Sequence, residues 1–193
     1  MLLTWIKKTP RDTIYADLYR YSGRKSYKTF LRSFIIVPGF KYTYFLRKCY
    51  FYLEKGSKIR YLFFNIFLRR YSYKFGFDIS PACKIGKGFY IGHFGRVIIH
   101  PDAEIGCNVN ISPGVTIGQT NRGKNKGVPK IGDNVWIGTN AVIVGKIHIG
   151  DNALIAPAAY VNFDVPGDAV VLGNPGKIVS YKGSEDYVCR TIS

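Results

Sequence analysis

The sequence predicts a mainly β protein, a parallel β-solenoid preceded by an α-helical segment, and three observations predict it. First, twelve isoleucines and one valine fall on a six-residue grid: Ile79, Ile85, Ile91, then after two extra residues Ile99, Ile105, Ile111, Ile117, then after a longer insertion Ile131, Ile137, Ile143, Ile149, Ile155 and Val161. Neither an amphipathic helix nor an ordinary strand repeats at six; stacked short coils do. Second, Gly88, Asp102, Asn108, Gly114, Asn134, Asn140, Asn152 and Asp164 stand three residues after the aliphatic position. These types tolerate a left-handed backbone, so each hexad is expected to turn a corner there. Third, the next column is small or β-branched, with Cys83, Ala103, Val109, Val115, Val135, Ala141, Ala153, Ala159 and Val165, as a narrow packed interior demands. An ordinary sandwich of short strands does not keep a constant period over so many strands.

The grid divides the chain into residues 1–77, a basic, aromatic-rich helical segment, residues 78–180, the repeat, and a tail, 181–193. The first segment holds 17 of the 28 Lys and Arg against 3 acids, and 22 of the 30 aromatic residues, so the positive charge belongs to the front of the molecule. Its apolar residues recur at helical spacing, as in Tyr27, Phe30, Leu31, Phe34 and in Tyr61, Phe64, Phe67, Leu68, Tyr71. Pro38-Gly39 and Gly56-Ser57 are expected to break it into three or four helices. Two readings of this segment stand side by side. Its aromatic faces pack on one end of the solenoid and protect an open sheet edge, or the basic surface, with Tyr, Phe and Trp5, docks on an anionic membrane leaflet.

Other classes fit poorly. No zinc-finger, RNA-recognition or basic-zipper pattern accompanies the charge, so nucleic acid is not an expected partner. Cys49, Cys83, Cys107 and Cys189 show no CxxC pairing and read as reduced thiols of a cytoplasmic protein. The first six residues are followed at once by Lys7, Lys8, Pro10 and Arg11, the wrong order for a secretory signal. The nearest apolar stretch, residues 61–67, is far short of the roughly 18–20 residues that span a bilayer.

A solenoid tolerates insertions only where they project outward, so breaks in the grid locate function. The first, residues 92–96, places His93 between glycines; the second, residues 118–129, is Gly-rich and carries Arg122, Lys124 and Lys126. The stretch from Asp78-Ile79-Ser80-Pro81 through Gly86-Lys87-Gly88 to Gly92-His93, with Gly173-Asn174-Pro175-Gly176-Lys177 at the end, resembles the serine acetyltransferase branch of the hexapeptide-repeat acyltransferases. The resemblance covers about residues 78–180 and implies a left-handed parallel β-helix with three hexads per coil. It further implies homotrimers or pairs of trimers with active sites between subunits, and acetyl-CoA as donor.

By that resemblance His93 is the general base and Asp78 its partner. A neutral imidazole can take a proton from an alcohol at neutral pH, and a carboxylate on its other nitrogen fixes the tautomer. Gly118, Thr139, Ala141 and Pro157 fall at coenzyme-binding positions, where their backbone would meet the pantetheine arm, and Lys177 would meet a coenzyme phosphate. Arg96 and Arg122 are candidates for binding the acceptor. No metal is expected: His100 and His148 do not fall with His93 at the ligand spacings of metal-dependent β-helix enzymes.

The acceptor is read from departures. Serine-specific members carry an acid before the catalytic histidine and Arg-His before the loop's Pro-Lys; here stand Gly92 and Gly127-Val128, followed by Pro129-Lys130. A free amino acid needs matching charges, which disfavours serine, and the Gly92-His93-Phe94-Gly95 arrangement resembles the relatives that acetylate sugar hydroxyls in capsule or O-antigen synthesis. That resemblance implies acetyl transfer to a sugar hydroxyl in surface polysaccharide biosynthesis, on acceptors of a kind often carried by membrane lipids. The alternatives are a serine O-acetyltransferase and a non-catalytic membrane-associated scaffold.

Overall fold

The computed structural model describes residues 10–192, so Trp5, Lys7 and Lys8, which entered the membrane and signal readings, lie outside the described residues. Four helices come first: α1 (Pro10–Ser22), α2 (Tyr27–Ile36), α3 (Pro38–Glu54) and α4 (Lys58–Phe75). Their boundaries follow local chemistry. The Ser26 hydroxyl accepts from the Thr29 N–H and caps α2, Pro38 opens α3 at a position that needs no N–H, and Gly76 closes α4 in the left-handed conformation. Both expected breaks are present.

Short strands follow: β1 (Phe77–Ile79), β2 (Lys84–Ile85), β3 (Tyr90–Ile91), β4 (Val97–Ile99), β5 (Glu104–Ile105), β6 (Asn110–Ile111), β7 (Thr116–Gly118), β8 (Lys130–Ile131), β9 (Trp136–Ile137), β10 (Val142–Val144), β11 (His148–Ile149), β12 (Leu154–Ile155), β13 (Tyr160–Val161), β14 (Val170–Leu172) and β15 (Lys177–Ser180). They form three faces of a prism. The first is β1-β4-β7-β10-β13, the second β2-β5-β8-β11, and the third β3-β6-β9-β12-β14, closed by the antiparallel β15. The grid residues stack in register, Ile99 on Ile117 and Ile117 on Ile143 on the first face, Ile105 on Ile131 on the second, Ile111 on Ile137 on the third. Every grid residue is at most 4% exposed, so the isoleucines form one continuous core column per face.

Left-handed corners recur from coil to coil at two of the three edges, while at the third only Gly145, after β10, and glycines of the 118–129 insertion take positive φ. Asn108, Asn134 and Asn152 take positive φ between the second and third faces, and Gly114, Asn140 and Ala158 between the third and first. At the remaining edge Asp102 and Asp164 are absent from the positive-φ residues. There Pro101 precedes Asp102 and the Ala103 N–H closes on the His100 carbonyl, a tight turn that needs no left-handed residue.

The helices cover the open edge of the first coil, an edge that would otherwise present unpaired backbone groups. The Tyr42 hydroxyl donates to the Ile79 carbonyl of β1. Arg47 donates to the carbonyls of Ile85 (2.5 Å) and Gly86 (2.6 Å) beside β2. The Tyr21 hydroxyl accepts from the Ile91 N–H (2.9 Å) of β3, and Asp17 accepts from the Phe89 N–H (2.9 Å). Asp17 and Arg47 are themselves paired and buried. Burial pushes the Asp17 carboxyl up, against the opposing pull of Arg47. Gly39 in the first turn of α3 permits this approach, because a Cβ there would collide with the Ile91 carbonyl.

The tail is not a loose end. It returns along the asparagine corners: the Ser184 N–H donates to the Asn152 carbonyl, the Ser184 hydroxyl to that of Asn134, and the Asn108 amide to that of Ile192. Tyr187 packs on Trp136, with ring centroids 5.0 Å apart, and Arg190 reaches the Tyr21 carbonyl of α1 (2.8 Å).

Candidate active site

Three of the residues singled out for catalysis and donor binding, His93, Thr139 and Pro157, lie on the edge between the third and first faces, each in a corner of a different coil. The ladder is explicit in the backbone. The Arg96 carbonyl accepts from Gly114, the Pro113 carbonyl from Asn140 and the Thr139 carbonyl from Ala158. The edge ends at residues 173–176, where the Gly176 N–H donates to the Tyr160 carbonyl, and Lys177 follows at once as the first residue of β15. His93, Thr139, Pro157 and Lys177 are all exposed.

Two candidates stand apart from that column. Ala141, just past the Thr139 corner, is fully buried, and its N–H donates to Gly138 while its carbonyl accepts from Thr116. It builds the wall rather than the surface. Gly118 ends β7 across the first face, where the second insertion departs. Both insertions therefore border the same face, one at each edge.

That second insertion is a small hairpin, with Thr120 and Gly127 exchanging both backbone hydrogen bonds (2.9 Å each). It leans on later coils through Asn125, whose carbonyl accepts from the Lys146 N–H and whose amide donates to the Asn162 carbonyl. Arg122, Lys124 and Lys126 are exposed on it, on the far side of the first face from the His93 corner.

Asp78 occupies the centre of β1 between buried Phe77 and Ile79, so the pleat turns its carboxylate outward. The Gly92–Arg96 corner leads directly into β4, whose Val97 and Ile98 pair with Phe77 and Asp78. Asp78 and His93 thus border the same face without a hydrogen bond between them. A cleft of about 670 Å³ opens between α4 and this face. Asp78, Arg96, Ser80, Asn65, Arg69 and Ser72 are among its lining residues, and His93 is not. Arg69 escaped the sequence reading; it belongs to a helix 24 residues before His93, and no spacing rule links a helix face to a corner of the solenoid. No group of three or more His, Cys, Asp or Glu suited to a metal occurs among the described residues.

The family description "bacterial transferase hexapeptide (six repeats)" matches residues 129–162. Among curated proteins, a serine acetyltransferase of Bacillus pumilus is 35% identical over 75% of this chain and 61% of its own length. Serine acetyltransferase 4 of Arabidopsis thaliana is 40% identical over 61% of this chain and 33% of its own length. The matches span between a third and about three fifths of these relatives. Among solved structures, a serine acetyltransferase of Neisseria gonorrhoeae in complex with serine shares 33% identity and a TM-score of 0.72, covering 89% of this chain and 69% of that one. One from Brucella abortus in complex with coenzyme A gives 29% and 0.75, covering 89% and 68%.

These relatives overturn the expectation of a sugar acceptor in polysaccharide biosynthesis. That expectation judged charge only from the neighbours of His93 and of Pro129-Lys130. A cation outside both stretches, Arg69 of α4, lines the cleft beside Asp78. The shared structure extends through the α-helical segment as well as the coils, since 89% of the chain aligns. With the repeat, its matching family description and a relative at 33% identity over more than two thirds of its length, the chain belongs to the hexapeptide-repeat acyltransferases.

Proposed function

We propose that this protein is an acetyl-CoA-dependent O-acetyltransferase whose acceptor is serine. The observation that carries the reading is the place of His93 and the donor-binding candidates Thr139 and Pro157 on one exposed edge, in a chain similar across 89% of its length to a serine acetyltransferase solved with serine.

The chemistry asked of the residues is modest. The imidazole of His93 takes the proton of the serine hydroxyl as the oxygen attacks the thioester carbonyl. The tetrahedral intermediate collapses with cleavage of the C–S bond, and the imidazolium returns its proton to the departing thiolate. Backbone N–H groups on the edge steady the oxyanion. Asp78, on the same face, orients the imidazole and stabilises its charged form once the acceptor is bound, because catalytic hydrogen bonds tighten in the loaded site. Arg69 and Arg96 supply cations for the acceptor carboxylate. Thr139 and Pro157 offer the wall along which the donor's arm lies, with Lys177 at its end for a coenzyme phosphate. His93 is exposed in one chain, and a neighbouring copy, as in a trimer, would supply a facing wall beside it.

The test is thiol release from acetyl-CoA with L-serine as acceptor. His93→Ala is expected to lower turnover about 10²–10⁴-fold while leaving the fold and assembly intact. Wild-type protein inert toward L-serine, or near-normal turnover in the variant, overturns the proposal.

A further inference from the structure

Helix α4 is apolar on two faces, and only one of them has a partner. Leu68 and Phe75 are buried against α3 and the first coil, where Phe45 stacks on Phe67 and Tyr71 stacks on Phe75. The opposite face carries Ile59, Leu62, Phe63, Ile66 and Tyr73 at spacings of three and four, and these are 85%, 58%, 57%, 68% and 82% exposed. A monomeric surface rarely leaves so continuous an apolar stripe uncovered. No helix among the described residues is long and apolar enough to cross a membrane, so the stripe is not part of a span.

What flanks the stripe selects its partner. Lys58 and Arg69 project along one side by the 100° helical step and Arg60 and Lys74 along the other, with Arg70 toward the C-terminal end. All five are exposed, none is in an ion pair among the described residues, and α4 contains no acid. Helix α2 repeats the arrangement on a smaller scale, with exposed Tyr27, Leu31, Ile35 and Ile36 beside Lys28 and Arg32 and again no acid. Both helices converge on Phe45, which Phe34 of α2 and Phe67 of α4 both contact. A second copy laid on this surface would bring like charges together without an acid to neutralise them. An anionic bilayer meets both demands, with hydrocarbon at the level of the stripe and phosphate at the level of the cations.

We infer that the outward face of α4, extended by α2, docks the protein on an anionic membrane surface as a monotopic contact, with Phe63 and Ile66 entering the acyl boundary and Lys58, Arg60 and Arg70 meeting head-group phosphates. The inference does not depend on the acceptor; Arg69, which the proposed function assigns to the acceptor, flanks the stripe but is not among the residues assigned to the membrane.

Flotation of the whole protein with vesicles tests it. Binding is expected to mixed phosphatidylcholine–phosphatidylglycerol vesicles and not to phosphatidylcholine alone, weakening as salt rises. Two variants are informative: Ile59→Ser with Ile66→Ser, and Lys58→Glu with Arg70→Glu. Each is expected to reduce binding at least about tenfold, and the exposed positions should leave thermal unfolding and thiol release unchanged. No flotation, equal flotation of the variants, or equal binding to neutral vesicles overturns the proposal. So does sedimentation in lipid-free buffer that shows the serine variant in a smaller assembly than the wild type, because the stripe would then be covered by a second copy.

Discussion

Arg47 holds Asp17 through two nitrogens, Nε to Oδ2 at 2.9 Å and Nη2 to Oδ1 at 3.1 Å, and the same guanidinium caps two carbonyls of the first coil. The pair is therefore the bolt between the helices and the solenoid. Removing one partner leaves an uncompensated buried charge, so Arg47→Ala is expected to lower stability by about 3–5 kcal/mol. Urea titration followed by circular dichroism measures it, and a loss below about 1 kcal/mol would show that the helices dock without this pair.

Glu104 gives a pH-dependent contribution with a definite sign. On the second face it lies between Lys84 and Lys130, with Nζ–carboxylate distances of 3.2 and 3.0 Å. The hydrogen bond from Lys130 leads in holding its carboxyl below the usual range, outweighing the partial burial that pushes the other way, and Lys84 adds to it. The unfolded chain therefore binds the proton more readily near pH 4, so the contribution is present above about pH 4.3 and is lost as pH falls through the lower folded value. Glu104→Gln is expected to cost no more than about 1 kcal/mol at pH 7, because the lysines are exposed and screened, and to cost nothing once the wild-type carboxyl is protonated. Parallel denaturation curves at several pH values check the crossover.

The four cysteines should separate by reactivity. Cys49 and Cys83 are buried, and burial pushes both thiols up to about 12, while Cys189 is exposed and Cys107 is half-buried. With a chromogenic disulfide reagent, Cys189 is expected to react first and Cys107 slowly, with Cys49 and Cys83 following only on denaturation. Mass mapping of the labelled peptides distinguishes this order from any other.

Ala158 occupies a left-handed corner, φ 60°, at a place where neighbouring coils have Asn140 and Gly114. An alanine in that region carries roughly 1 kcal/mol of strain. Ala158→Gly or Ala158→Asn is thus expected to stabilise by about 0.5–1 kcal/mol, seen as a higher Tm, and a destabilised glycine variant would place the constraint elsewhere.

Much of this architecture was legible from residue spacing, and the reasons differ by element. Ile79 to Val161 announced the core because each coil buries its aliphatic residue independently of its distant neighbours. The asparagine corners were legible where the backbone needs a left-handed residue, and misleading at Asp102, where Pro101 makes a different turn. The capping by Tyr21, Asp17 and Arg47 was not legible, since those contacts join residues 30 to 72 positions apart. The place of Arg69 was not legible for the same reason: it lines the cleft from α4, and proximity in sequence to His93 says nothing of it.

The strap of residues 183–192 changes how such a stack can come apart. Repeats that touch only their neighbours fray from the ends, one after another. Here Ser184 meets the late coils, Ile192 an early one and Arg190 the first helix. Residues 183–192 are thus laced to coils and to a helix far earlier in the sequence, like a buckle closing a belt. Loosening this strap breaks bonds to late coils, an early coil and the first helix at once, so the array is expected to unfold as one cooperative unit, with calorimetric and van't Hoff enthalpies that agree.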